Sequence, residues 1–170
     1  MDLRRIGIVL AVMAVTPLAG CGFTPLYASP GGAVTPLRSI ELVTPESRTG
    51  FLLRQHLDDA LGRRQGEAPR YRMELQVGEA RYPRGLRVDN VATRYEYVLT
   101  ASYILTDRTT GSQAKQGSVR VELTYDSSDQ PYASVMAQQD VADRAAEEAA
   151  RRIQLELAAW FAQKSQGGAG

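Results

Sequence analysis

Cysteine and histidine are almost missing from this chain: in 170 residues there is one of each, Cys21 and His56. A lone cysteine excludes an internal disulfide, and a lone histidine with no further cysteine excludes the usual zinc ligand sets. Long apolar runs are scarce too. The main one, Ile6–Val15, has ten residues, about half of the roughly 20 that a membrane-spanning helix needs. Charge of one sign is not in excess, since the formal net charge is +1, and so nothing pulls the chain as a whole toward nucleic acid. There is no G-x-S-x-G elbow, no glycine-rich phosphate loop and no internal repeat. As a general base, His56 would need a nucleophile close in space, and the adjacent Asp58 and Asp59 point different ways on a helix. These absences leave a periplasmic hydrolase the least supported reading, and we expect no catalytic residue, metal or cofactor.

What the N-terminus does contain is an export signal. Arg4 and Arg5 precede the apolar run, and Leu18-Ala19-Gly20-Cys21 places small residues before a cysteine. A peptidase can fit the backbone between Gly20 and Cys21, so residues 1–20 read as a lipoprotein signal peptide. The thiol at this position is the nucleophile that accepts a diacylglyceryl group, and the amine freed by cleavage can take a further acyl chain such as palmitate. At about 0.8 kcal/mol per buried CH₂, two or three chains give a lasting membrane anchor. Gly22, where an aspartate would signal retention at the inner membrane, suggests the outer membrane as destination. Cleavage removes Asp2, Arg4 and Arg5, so basic and acidic residues fall from 20 and 19 to 18 each.

The 150 residues that remain suit one domain with a real core. Residues 21–36, rich in Gly, Pro, Ser and Thr, read as the acylated cysteine and a flexible tether. The pattern of Leu37–Val43 predicts a short strand. Thr44-Pro45-Glu46 then looks like a helix start, Leu53, Leu57 and Leu61 stack on one helical face, and Gly62 supplies the stop. Three segments with a period of two follow: Tyr71–Val77, Tyr95–Leu105 and Val119–Tyr125. Each puts apolar residues on one face and polar ones on the other, which predicts a sheet covered on one side. Asp107–Ser112 predicts a hairpin turn between the last two strands. Val141, Ala145, Ala149, Ile153, Leu157 and Trp160 mark a long amphipathic helix with Ser134 as N-cap. Residues 165–170 read as a disordered tail, so the domain spans 37–164. The expected fold is a two-layer α/β (α+β) sandwich in the order β-α-β-β-β-α. Two helices pack on one face of a four-stranded mixed sheet, with a right-handed first crossover.

The stretch Cys21-Gly22-Phe23-Thr24-Pro25-Leu26-Tyr27 resembles the mature N-terminus of the lipopolysaccharide-assembly lipoproteins of the LptE family, in their alphaproteobacterial form. The element order, the tyrosine-bearing strand around Tyr95-Glu96-Tyr97 and the Ala/Glu/Arg-rich last helix are similar to that family as well. The resemblance implies an outer-membrane lipoprotein on the periplasmic side that plugs the barrel of LptD, supports its assembly and binds lipopolysaccharide. An auxiliary or adaptor lipoprotein of another envelope transport complex is the alternative, because folds do not fix functions.

A barrel lumen has wet, polar walls, so the polar sheet face with Arg72, Glu74, Arg120, Glu122 and Thr124 is the expected partner face. For lipopolysaccharide the candidates are Arg81, Arg84, Arg87 and Arg94, four arginines facing one aspartate, Asp89, on what reads as a loop or strand ends between the second and third strands. Guanidinium groups bind phosphates through paired hydrogen bonds. A solvated basic loop, or one salt-bridged to the barrel, competes with that reading. For the anchor the expected outcome is sharper: Cys21→Ala leaves an unprocessed precursor that takes up no radioactive palmitate. A mutant that still matures and labels would remove Cys21 as the acylation site.

Overall fold

Within the computed structural model, residues 34–63, 68–86, 92–127 and 130–167 are described. The signal peptide, Cys21 and most of the tether lie outside them. A short helix α1 (Val34–Arg38) takes in the last residues assigned to the tether and also Leu37, which was expected to open the first strand. Both the N–H and the Oγ of Ser39 donate to the Pro36 carbonyl, which closes a turn and delays strand β1 to Ile40–Val43. Helix α2 (Arg48–Leu61) starts later than its proline suggested. Its N-cap is Ser47, whose Oγ accepts from the Gly50 N–H at 3.0 Å, and Pro45 belongs to the turn before it. A side chain at Gly50 would collide with that turn, since a Cβ there would lie 2.3 Å from the Pro45 carbonyl oxygen. Leu53, Leu57 and Leu61 are buried as a stripe, and Gly62 caps the helix in the left-handed region at φ 61°.

Three strands exceed their expected length by several residues. Strand β2 runs Tyr71–Leu86 and β3 runs Ala92–Asp107, paired antiparallel from Tyr71↔Asp107 out to Leu86↔Ala92. Of the segment that reads as a loop or strand ends because of Pro83 and Gly85, residues 81–86 and 92–94 are strand ends, paired across β2 and β3. Alternation along β2 turns the Pro83 nitrogen toward the edge that β1 does not reach, so the missing N–H costs no ladder bond. Gly85 takes φ 64°, and its carbonyl accepts from Thr93 Oγ1 at 2.9 Å. Strand β4 (Gln113–Asp126) completes the sheet in the order β1-β2-β3-β4, with β1 parallel to β2 and the other pairs antiparallel. The mixed four-stranded sheet and the β3–β4 hairpin are as expected.

Helix α3 (Pro131–Gly167) begins with proline in its first turn, where an absent N–H is harmless, so Ser134 lies inside the helix and does not cap it. It continues through Ser165–Gly167, the first part of the segment read as a tail. Val141, Ala145, Ala149, Ile153 and Leu157 are all buried against the sheet, and the alanines let the helix axis come close. Contacts His56–Asp143 and Ala60–Gln154 place α2 and α3 side by side in the same direction. Both helices cover the face that carries Tyr71, Met73, Leu75, Tyr97, Leu99, Tyr103 and Val121. Tyr71 packs edge-on to Trp160 and Phe161 at the closed end of this core.

Tyr103 reaches α3 across its strand neighbour, Gly117: its hydroxyl donates to Glu156 Oε2 at 2.9 Å. A Cβ at position 117 would lie 2.6 Å from the Tyr103 ring. Gly117→Ala should therefore lower stability by about 1–3 kcal/mol, the usual cost of overpacking, as read by urea unfolding. The loss should shrink in a Tyr103→Leu background; an equal loss there would show that ring contact is not the cause.

Candidate ligand cleft and partner face

The uncovered sheet face is built by the even-numbered residues of β2, β3 and β4. Arg72, Glu74, Arg120, Glu122 and Thr124 all lie on it and are all exposed. Their charges pair along single strands: Arg72 Nε donates to Glu74 Oε1 at 3.0 Å, and Arg120 Nε to Glu122 Oε1 at 2.6 Å. Pairs this exposed are screened by solvent and add little to stability, so they shape a polar surface more than they hold the fold. Between these ridges runs a trough of about 500 Å³ floored by Gln76, Ser102 and Ser118, with Ile104 on its rim. Val98 is 3% exposed although it belongs to this face.

The basic segment divides between the two faces. Arg84 and Arg94 are direct neighbours across β2 and β3 on the uncovered face. Like charges placed opposite each other repel, and here each is neutralised: Arg84 donates to Glu96 Oε2, and Arg94 Nε to Asp126 Oδ1 at 2.8 Å. The bond and charge of Asp126 hold the Arg94 guanidinium pKa above its ordinary value. Arg81 has the opposite parity and sits on the helix-covered side. Arg87 lies outside the described residues. The three described arginines therefore do not converge on one point, because strand alternation sends Arg81 to one face and Arg84 and Arg94 to the other.

Arg81 instead lines a cleft of about 720 Å³ where α2 begins and the N-terminal part of α3 passes over β2 and β3. Arg48, in the first turn of α2, lines it as well. The walls include Tyr95, Tyr97, Val135 and Ala142, with Gln138 and Gln139 on the helix side. Glu79 is held at the cleft by two donors on one oxygen, the Tyr97 hydroxyl at 2.7 Å and Thr49 Oγ1 at 3.1 Å. Burial raises the Tyr97 pKa, the bond to the Glu79 carboxylate raises it further, and Arg81 nearby opposes the shift. Tyr103 shows the same pattern through burial and Glu156. The sequence alone does not signal Arg48 or the Glu79–Tyr97–Thr49 cluster, whose members come from three separate elements; spacing shows only that Arg48 follows a serine fit to cap a helix.

His56, half-buried on α2, lies 3.0 Å from Asp143 of α3 and thus ties the two helices together. Among the described residues no group of three or more His, Cys, Asp or Glu could hold a metal ion, and no helix is long and apolar enough to cross a membrane.

A family model described as LptE, lipopolysaccharide-assembly, matches residues 37–157. Among solved structures, a candidate lipoprotein from Caulobacter crescentus is similar at 50% identity, covering 78% of this chain and 96% of its own, with a TM-score of 0.68. The rare lipoprotein B of Shewanella oneidensis is 15% identical, with a TM-score of 0.54 over 71% of this chain and 92% of its own. Lipoprotein B of Nitrosomonas europaea is 11% identical, with a TM-score of 0.54 over 71% of this chain and 82% of its own. The last two show likeness of fold alone. No curated protein matches the chain.

The two raised phenols make alkaline stability a test of this geometry. Both are held protonated in the fold, so their contribution is fully present below about pH 10, the ordinary tyrosine value, and is lost as pH rises toward the higher folded-state values. In a spectrophotometric titration, Tyr97 and Tyr103 should ionise only as the fold is lost, and Tyr97→Phe should remove one such late phenol. Normal titration of every tyrosine in the folded protein would contradict the Glu79 and Glu156 contacts.

Proposed function

The chain belongs to the LptE family of lipopolysaccharide-assembly proteins, and from that premise we propose that it is an outer-membrane lipoprotein, anchored by acylated Cys21 on the periplasmic side, that partners the LptD barrel as plug and assembly factor and binds lipopolysaccharide on its way to the cell surface. The family match over residues 37–157 is the observation that carries this reading. The architecture fits it physically. A sheet with one covered face leaves the other free to meet a partner, and that face is lined with short polar side chains and locally paired charges, as a wet barrel lumen requires. Charges already neutralised along their own strands can be brought against polar walls at less desolvation cost than unpaired ones. The role is that of a scaffold and ligand carrier and involves no catalytic step.

The partner face can be tested directly. With photocrosslinking residues at Glu74 or Glu122 in cells, a large β-barrel protein should be the dominant captured species. Capture only from an exposed position on α3, such as Arg144, would place the interface elsewhere.

A further inference from the structure

Of the fourteen arginines in the described residues, eleven lie within salt-bridge distance of a carboxylate. Arg38, Arg48 and Arg81 do not. Two of these three line the same cleft. A guanidinium left without an acidic partner where nearly every other one has found one keeps its full charge and its fork of donors for something outside the fold. We propose that Arg48 and Arg81 together hold the anionic head, phosphate or carboxylate, of an acylated ligand whose apolar part lies along the cleft and its rim. This rests on the lipopolysaccharide reading above and names the residues that would carry it out.

Charge, shape and rim agree. Two guanidiniums stand against the single carboxylate of Glu79, and that carboxylate already accepts from Tyr97 and Thr49. Next to the arginines in the lining stand Tyr95 and Val135, the latter 49% exposed; one helical turn after Arg48 along α2 Phe51 is 64% exposed, and one turn before Val135 along α3 Tyr132 is 78% exposed. Large exposed apolar side chains beside free cations suit an amphipathic anion and offer a small, fully hydrated one nothing to gain. Arg84 and Arg94 lack this property, since Glu96 and Asp126 neutralise them. Arg81 is thus the one described member of the basic segment kept for the ligand, and its partner comes from α2, 33 positions earlier in the chain.

The test uses the mature full-length protein in detergent, with phosphorylated lipid A, its dephosphorylated form and inorganic phosphate as probes. Arg48→Ser with Arg81→Ser should weaken lipid A binding by about tenfold or more, the scale of lost charge-assisted hydrogen bonds, with unchanged thermal unfolding. Arg84→Ser with Arg94→Ser should stay within about twofold of the wild type on the same scale, and the dephosphorylated lipid should bind weakly and alike to all forms. Wild-type affinity in the folded Arg48/Arg81 variant would overturn the inference and leave the proposed function standing. Displacement of lipid A by an equal concentration of inorganic phosphate would overturn it too, as the mark of a free-phosphate site. Failure of the wild type itself to bind lipid A would overturn both the inference and the lipopolysaccharide reading.

Discussion

The architecture follows from a mismatch of lengths. At about 3.3 Å per residue, the 16 residues of β2 make a strand of about 53 Å, while at 1.5 Å per residue the 14 residues of α2 cover about 21 Å. Only α3, with 37 residues and about 55 Å, is long enough to match the hairpin. Over the half of the sheet that starts at Tyr71, both helices press on the apolar face and produce the buried core. Past the start of α2 one helix remains, and the space its partner would have filled becomes the cleft. The cleft is thus a consequence of the hairpin outrunning its cover, and its lining changes from leucine and methionine to Glu79, Arg81, Arg48 and two glutamines where water can enter.

The same mismatch leaves backbone edges to be dealt with. Along β4, Arg152 of α3 reaches over and donates to the Arg120 carbonyl, blunting that edge. On the other side β1 pairs only with Tyr71–Glu74. Beyond it the outward groups of β2 are left to solvent, guarded by charged side chains and by Pro83, which are the usual means by which edges avoid pairing with other chains. Faces and edges together give a domain whose one large uncovered surface is polar and whose aggregation-prone elements are protected.

Charge is arranged with equal economy. Near neutrality overall, the chain pairs most of its described arginines with carboxylates, some within one strand or helical turn (Arg72–Glu74, Arg144–Asp140) and some across strands or between distant segments (Arg94–Asp126, Arg108–Glu41), so most of the surface offers neither sign strongly. Against that background two unpaired guanidiniums in one cleft are a local feature that neither composition nor net charge could disclose. Its chemistry is compatible with a family that handles an anionic, acylated molecule.

Much of this was legible in the residues themselves. Period-two patterns in Tyr71–Val77, Tyr95–Leu105 and Val119–Tyr125, the leucines of α2, the αL glycine at 62 and the alanine stripe of α3 are local or evenly spaced signals, and each ended where the chain's own periodicity predicted a face. Boundaries were less legible because they depend on partners: Pro83 stays in its strand only because no neighbour needs its N–H, and Leu37 leaves β1 because Ser39 turns back on Pro36. Between a loop and strand ends the basic segment left the choice open for the same reason, and with strand ends formed Arg81 lies on one face and Arg84 and Arg94 on the other. By itself the sequence determined the one-sided sheet and the two helices packed on it, since those rest on periodicity and adjacent residues. Only the tertiary structure decided which arginines are neutralised and which stay free, because that depends on carboxylates brought near by pairing across strands and by packing of elements distant in the chain.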